Sequence, residues 1–126
     1  PAIPLLVRRL GAETSPQERY AAARSLGELG AVAAPAALAL ANALADRDMH
    51  VSRSAGDALV SIGMEAMPAM QRALSDERER VREKAARSIG RLGGPAAAGA
   101  ALLLANMVDD LSPCVRQAAA EALGQL

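Results

Sequence analysis

The segment VREKAARSIGRLG at positions 81–93 decides the fold, because closely related segments recur along the chain. The related segments are ERYAAARSLGELG at 18–30, VSRSAGDALVSIG at 51–63 and VRQAAAEALGQL at 115–126. Their equivalent residues Leu26, Leu59, Ile89 and Leu123 are spaced 33, 30 and 34 positions apart. A period of this length is typical of proteins that stack helical repeats.

The periodicity inside each segment predicts an amphipathic helix, which we call helix A. In the third copy Val81, Ala85 and Ile89 share one stripe, while Glu83 and Arg87 lie on the opposite side. The first three copies are each followed by a second apolar helix, helix B, that ends in an acidic loop, as in APAALALANALADRD at 34–48. A matching helix B, PAIPLLVRRLGAE, stands alone at the start.

The predicted helix ends agree with this period. Residues that favour an N-cap precede three of the A helices, at Ser15, Asp48 and Ser112. Glycine, which favours the left-handed conformation that ends a helix, follows the first three A helices at Gly30, Gly63 and Gly93. The unit is therefore helix A, glycine turn, helix B and acidic loop.

The composition explains why such a fold suits this chain. Of 126 residues, 52% are hydrophobic but only 1% are aromatic, and 31 are alanine. Small side chains allow many helices to approach closely, whereas a conventional core needs bulky ones. The formal net charge is zero, with 14 basic and 14 acidic side chains. That balance disfavours binding to a phosphate backbone, which depends on excess positive charge.

The pattern of acidic loop, VRxxAAxALGxLG and a helix with an early proline resembles the short HEAT-like repeat named after the phycobilisome bilin lyases. Three positions depart from it, Glu18, Ser52 and Val60. The resemblance implies an all-α, right-handed α-solenoid (superhelix) of about seven to eight helices. It also implies that the A helices form the convex face and the B helices the concave face.

The repeats divide a single domain, 1–126, into five parts. These are a lone helix B at 1–14, repeats at 15–47, 48–77 and 78–111, and a lone helix A at 112–126. The half-repeats at both ends look uncapped, with apolar residues such as Ile3, Leu6 and Val115. Two interpretations remain open: a segment of a longer array, or a homo-oligomer in which half-repeats complete each other.

Two sets of residues are candidates for a role beyond the core. The implied concave face carries a polar column with an apolar neighbour, and it is predicted to bind a partner or else to be an ordinary solvated face: Arg8, Asn42, Arg72, Asn106 and Leu103. The acidic loops and the arginines near the start of the A helices are predicted to pair between repeats, rather than to hold a metal ion: Arg19, Asp46, Asp76, Arg82, Asp110 and Arg116. An outward column alternates in charge and should stabilise the order of repeats: Arg24, Asp57, Arg87 and Glu121.

The chain offers few parts for catalysis. His50 is the only histidine and Cys114 the only cysteine, and no glycine motif for phosphate binding is present. We therefore predict no enzyme activity, no cofactor and no membrane association. One cysteine cannot form an internal disulfide, which fits a reducing compartment, and we expect a cytoplasmic protein.

The leading hypothesis is a non-enzymatic scaffold that binds a protein or peptide on its concave face. The resemblance leaves two alternatives, a bilin lyase-type chromophore-attachment module and a HEAT-scaffold DNA-binding module. Neither is favoured by a chain with one tyrosine, one histidine and no net charge.

Overall fold

The computed structural model describes residues 2–11 and 13–124, and within these ranges the regular structure is entirely helical. The predicted segments 1–14 and 112–126 thus include four positions, 1, 12, 125 and 126, that lie outside the described residues. The α-helices follow in the order α1 (Ala2–Arg9), α2 (Pro16–Leu29), α3 (Ala37–Ala43), α4 (Met49–Ile62), α5 (Met67–Ala73), α6 (Glu79–Leu92), α7 (Gly94–Gly99), α8 (Ala101–Met107) and α9 (Pro113–Leu123). Short 3₁₀ helices at Gly30–Ala36 and Gly63–Ala66 precede α3 and α5.

The A helices are α2, α4, α6 and α9, and their ends form as predicted. The Ser15 hydroxyl accepts a hydrogen bond from the Glu18 amide, and Asp48 accepts from the amides of His50 and Val51. Ser112 accepts from the Val115 amide in the same way. The glycines that end the first three A helices have φ values of 62°, 83° and 94°, which residues with a Cβ rarely adopt.

The B helices are divided, which the sequence analysis did not predict. Each of the three that follow an A helix forms a short 3₁₀ or α-helical turn and then a second α-helix, so nine α-helices are seen in the described ranges. Pro35 lies inside the first of these turns, and Gly94, Pro95 and Gly99 lie in the last. Proline has no amide hydrogen to donate and glycine is a weak helix former, so neither supports one continuous helix. The alternation of A and B elements remains that of the predicted all-α solenoid.

The core is thin and built mostly from alanine. Each layer adds one or two larger side chains, and the fully buried ones include Leu26, Leu40, Leu59, Met70, Ile89 and Leu104. Burying one such side chain contributes about 1.5–3 kcal/mol, so stability must accumulate along the stack.

The junctions between A helices are of two kinds. A Cβ added at Gly27 would lie 3.2 Å from the Ala58 Cα, and one added at Gly90 would lie 3.2 Å from the Ala122 Cα. The backbones of α2 and α4, and those of α6 and α9, therefore meet directly. Val60 occupies the equivalent position in α4 and prevents the same contact with α6. We call α2/α4 and α6/α9 the tight junctions.

One stretch of the described residues, Pro16–Ala43, is long and apolar enough to cross a membrane. It is not one straight helix, because the chain turns at Gly30, whose φ is 62°, between α2 and α3. Both helices pack against α4, and Leu26 and Leu40 are fully buried. The buried side chains of this stretch belong to the core of the solenoid.

Candidate binding face of the B helices

The predicted polar column lies on the surface of the B layer. Arg8, Asn42, Arg72 and Asn106 are all exposed and stand near the ends of α1, α3, α5 and α8. Leu103, which was predicted to flank this column, is half-buried and packs against the core.

The exposed leucines of this surface are Leu38 and Leu102, which are 53% and 77% exposed. They precede Asn42 and Asn106 by four positions, which places them on the same side of a helix, one turn away. That spacing is visible in the sequence and would have identified Leu102 rather than Leu103. We call the surface formed by Leu38, Asn42, Arg72, Leu102 and Asn106 the B face.

Two open cavities adjoin the B face and meet at Asn42. The larger, about 530 Å³, lies towards the acidic loops and is lined by Leu10, Ala39, Arg47, Asp46 and Arg78, among others. The smaller, about 290 Å³, lies between α3 and α5 and is lined by Leu38, Ala41, Ala69, Arg72 and Asp76, among others. Alanines and arginines form much of the lining of both cavities. Because the cavities meet at Asn42, we describe them together as one groove with a basic lining.

The first acidic loop is fixed by an ion pair within the repeat 15–47, not between repeats as predicted, because Arg19 near the start of α2 reaches the loop that ends the same repeat. Arg19 Nε donates to Asp46 Oδ2 at 2.7 Å, and Arg19 Nη2 donates to Asp46 Oδ1 at 3.1 Å. Burial opposes ionisation of Asp46, but the hydrogen bonds from Arg19 and from the Asp48 amide outweigh it and keep its pKa below the usual value. The hydrogen bonds to Asp46 likewise raise the pKa of Arg19.

The third repeat contains the equivalent pair. Arg82 Nε and Nη2 donate to the two carboxylate oxygens of Asp110 at 2.9 and 3.0 Å, and these bonds lower the pKa of Asp110. Arg82 Nη1 also donates to the carbonyl oxygens of Asp76 and Glu77 at 2.8 and 2.9 Å. Arg116 in turn donates to the carbonyl oxygen of Asp110 rather than to a carboxylate.

The acidic loop of the second repeat is held by a different ion pair. Ser52 stands where the other copies have arginine, and Asp76 pairs instead with Arg78 of its own loop, at 2.9 and 3.0 Å. This pairing lowers the pKa of Asp76 to about 2. Arg78 occupies the N-cap position of α6, where its side chain accepts no hydrogen bond from the helix. The helix therefore lacks the cap that Asp48 and Ser112 give α4 and α9.

The outward column forms one of its expected contacts. Arg87 Nη1 lies 3.5 Å from Glu121 Oε1, whereas Asp57 pairs with Arg91, one turn further on, at 2.6 Å. Arg24 stacks over the Tyr20 ring, with its Cζ 5.8 Å from the ring centroid.

His50 and Cys114, the two residues first considered for catalysis, lie on different helices, α4 and α9. His50 is exposed and meets the Tyr20 ring edge-on at 6.3 Å, while Cys114 is exposed in the first turn of α9. In residues 2–11 and 13–124, no three His, Cys, Asp or Glu side chains are grouped to hold a metal ion. The loop carboxylates of Asp46, Asp76 and Asp110 form the ion pairs described above.

Stacked helix pairs with repeated junctions define the class of helical-repeat solenoid proteins. Comparison with family models identifies HEAT repeats over residues 38–124 and a PBS lyase HEAT-like repeat over residues 18–46. The chain belongs to the HEAT repeat family.

Solved structures of similar fold include engineered proteins and a designed repeat protein. One engineered protein from the Northeast Structural Genomics Consortium is 26% identical with a TM-score of 0.55, and 98% of this chain aligns with 62% of that one. A designed armadillo repeat protein is 23% identical with a TM-score of 0.53, covering 98% of this chain and 63% of its own. The chain thus spans about three fifths of their length. No curated protein matches the chain.

Proposed function

We propose that the chain is a non-enzymatic interaction module that binds a protein partner on the B face. The observation that carries the proposal is the combination of Leu38 and Leu102, both more than half exposed, with the basic groove that Leu38 lines. Exposed apolar side chains rimmed by polar groups are typical of binding surfaces. Repeat proteins use one continuous face for extended partners.

The ionic side chains support binding rather than catalysis. The carboxylates of Asp46, Asp76 and Asp110 already accept hydrogen bonds from arginines, which lowers the pKa of each. A general acid or base needs a pKa near the operating pH and a free path to its substrate. These carboxylates are instead suited to fixing the loops that border the groove.

Selection from a random peptide display library, with no bias in charge, tests the proposal. We expect selected peptides to lose most of their affinity for a Leu38→Ser, Leu102→Ser variant. The matched control is Met49→Ser, Leu111→Ser, which removes two apolar side chains that are even more exposed, at 75% and 96%, but lie outside the B face. Circular dichroism checks that both variants stay helical. Selected peptides that bind the two variants equally well would refute the B face as the binding site.

The two alternative functions predict different ligands for the same protein. A chromophore-attachment module should change the visible absorbance of an added bilin, and a DNA-binding module should bind duplex DNA with steep salt dependence. We expect neither signal.

A further inference from the structure

We propose that the B face and the adjoining groove recognise an acidic, extended peptide, whose carboxylates meet Arg47, Arg72 and Arg78 while an apolar side chain packs on Leu38. This inference rests on the proposed function and specifies the chemistry of its partner.

The groove is positively charged because its carboxylates are already neutralised. Asp46 is held by Arg19 from within the stack, and its side chain is only 10% exposed. Asp76 is held by Arg78. Arg47 and Arg72, by contrast, are exposed and form no ion pair with a carboxylate of the described residues. The groove therefore presents more positive than negative charge to an incoming ligand.

Arg78 adds a third guanidinium in the larger cavity. Its bonds to Asp76 use Nε and Nη2, so the outer Nη1 has no hydrogen-bond partner among the described residues. The side chain is half-exposed and lines the larger cavity, as Arg47 does. A carboxylate entering this cavity can accept hydrogen bonds from both arginines.

The floor of the groove suits an extended chain with one apolar side chain. Leu38 lines the smaller cavity together with Ala41 and Ala69, and Arg72 stands beside them. These small residues leave room for a backbone to lie close to α3 and α5. Leu38 then contributes the apolar contact, and Arg72 contributes the charged one.

The geometry of the stack sets the spacing of the acidic residues. Neighbouring helices pack about 8–10 Å apart, and an extended chain in the polyproline II conformation advances about 3.1 Å per residue, with every third side chain on the same side. A peptide that crosses from α3 to α5 therefore advances by about three residues and presents a side chain to each layer at that interval. The partner is a segment with Asp or Glu at roughly every third position and Leu, Ile or Val beside it.

Charge and composition favour a peptide over a nucleic acid. Tyr20, the only aromatic residue, belongs to α2 and lines cavities away from the groove, so bases find no ring to stack on there. The exposed carboxylates of Glu65 and Glu77 lie in the turns before α5 and α6 and oppose a continuous polyanion. Separate carboxylates on a peptide avoid that repulsion.

Fluorescence anisotropy with defined probes tests the proposal on the full chain. The probes are a labelled peptide of about nine residues with Glu at every third position and Leu beside it, the same peptide with Lys for Glu, and a single-stranded oligonucleotide of similar length. We expect the Glu peptide to bind, with affinity falling as salt is raised, and the Lys peptide to bind at least about tenfold more weakly.

Two variants locate the binding. Arg72→Glu should weaken the Glu peptide about tenfold or more, while Arg53→Glu, the same charge change at an exposed residue that lines neither cavity, should change it less than about twofold. Equal binding of the Lys peptide, tighter binding of the oligonucleotide, or equal effects of the two variants would overturn the proposal. If display instead yields neutral or basic peptides that need Leu38 and Leu102, the acidic partner is refuted and the proposed function stands. If display yields no peptide that depends on the B face, both fail.

Discussion

Replacing Arg82 by methionine should destabilise the protein far more than the same change at another arginine of the same helix. Arg82 donates four hydrogen bonds, two to the Asp110 carboxylate and two to the carbonyl oxygens of Asp76 and Glu77. The side chains of the ion pair are only 18% and 14% exposed. Methionine keeps most of the apolar stem, so the change removes mainly these polar contacts.

The magnitude follows from the burial of each partner. A hydrogen bond to a charged group contributes about 1.5–3 kcal/mol when buried. The ion pair is partly screened and the two carbonyl groups can regain water, so we expect a total loss of about 2 kcal/mol. For a chain of this length that corresponds to a decrease in Tm of roughly 6–10 °C.

Arg87→Met is the matched control on α6. Arg87 is 42% exposed and pairs with Glu83 and Glu121 on the surface, so we expect a loss below about 0.5 kcal/mol. Urea unfolding followed by circular dichroism measures both values, because urea does not screen charge as guanidinium chloride does. A cycle with Asp110→Asn should give a coupling of about 1 kcal/mol or more. Equal free energies of unfolding for the Arg82 and Arg87 variants would refute the reasoning.

Three further outcomes follow from the structure. Gly90→Val should destabilise the protein by about 1–3 kcal/mol in the same urea titration, because the new side chain meets the backbone of α9. Gly99→Val, which has open space at its Cβ position, should cost under about 1 kcal/mol. Equal losses for the two variants would exclude close packing as the cause. Ser15→Ala should lower the free energy of unfolding by about 1 kcal/mol through loss of the α2 cap, and a thermal melt unchanged from that of the parent protein would contradict this. The folded-state pKa of Asp76 is about 2, below its ordinary value of 3.8, so its stabilisation is complete above about pH 4 and is lost as the pH falls towards 2. Arg78→Met should flatten that part of the stability profile, and an unchanged slope between pH 5 and pH 2 would show that the ion pair is not its source.

The features that were predicted correctly are those set by neighbours in the sequence. A cap such as Asp48 acts on amides two and three positions away, and a turn such as Gly63 depends on its own φ. Both can be recognised without knowing what packs against them.

The features that were missed depend on residues that are distant in the sequence. Ser52, more than twenty positions from Asp76, replaces the arginine that pairs with the loop aspartate in the first and third repeats. Asp76 pairs with Arg78 instead. The exposure of Leu102 in place of Leu103 depends on how α8 is rotated against the core, which a one-residue shift changes by about 100°. A column of residues chosen by alignment alone does not determine that rotation.

Tight junctions between A helices alternate with a looser one, so two repeats together form the structural period of the chain. The tight junctions recur from Gly27 to Gly90, and the arginine pairs recur from Arg19 to Arg82, in both cases 63 positions apart and about twice the length of one repeat. Deleting the second repeat alone would place Gly27 against Ser88 of α6, where it now contacts Ala58 of α4. Adding or removing two repeats together would keep every surface against its proper neighbour. Insertions or deletions in this protein should therefore comprise two whole repeats.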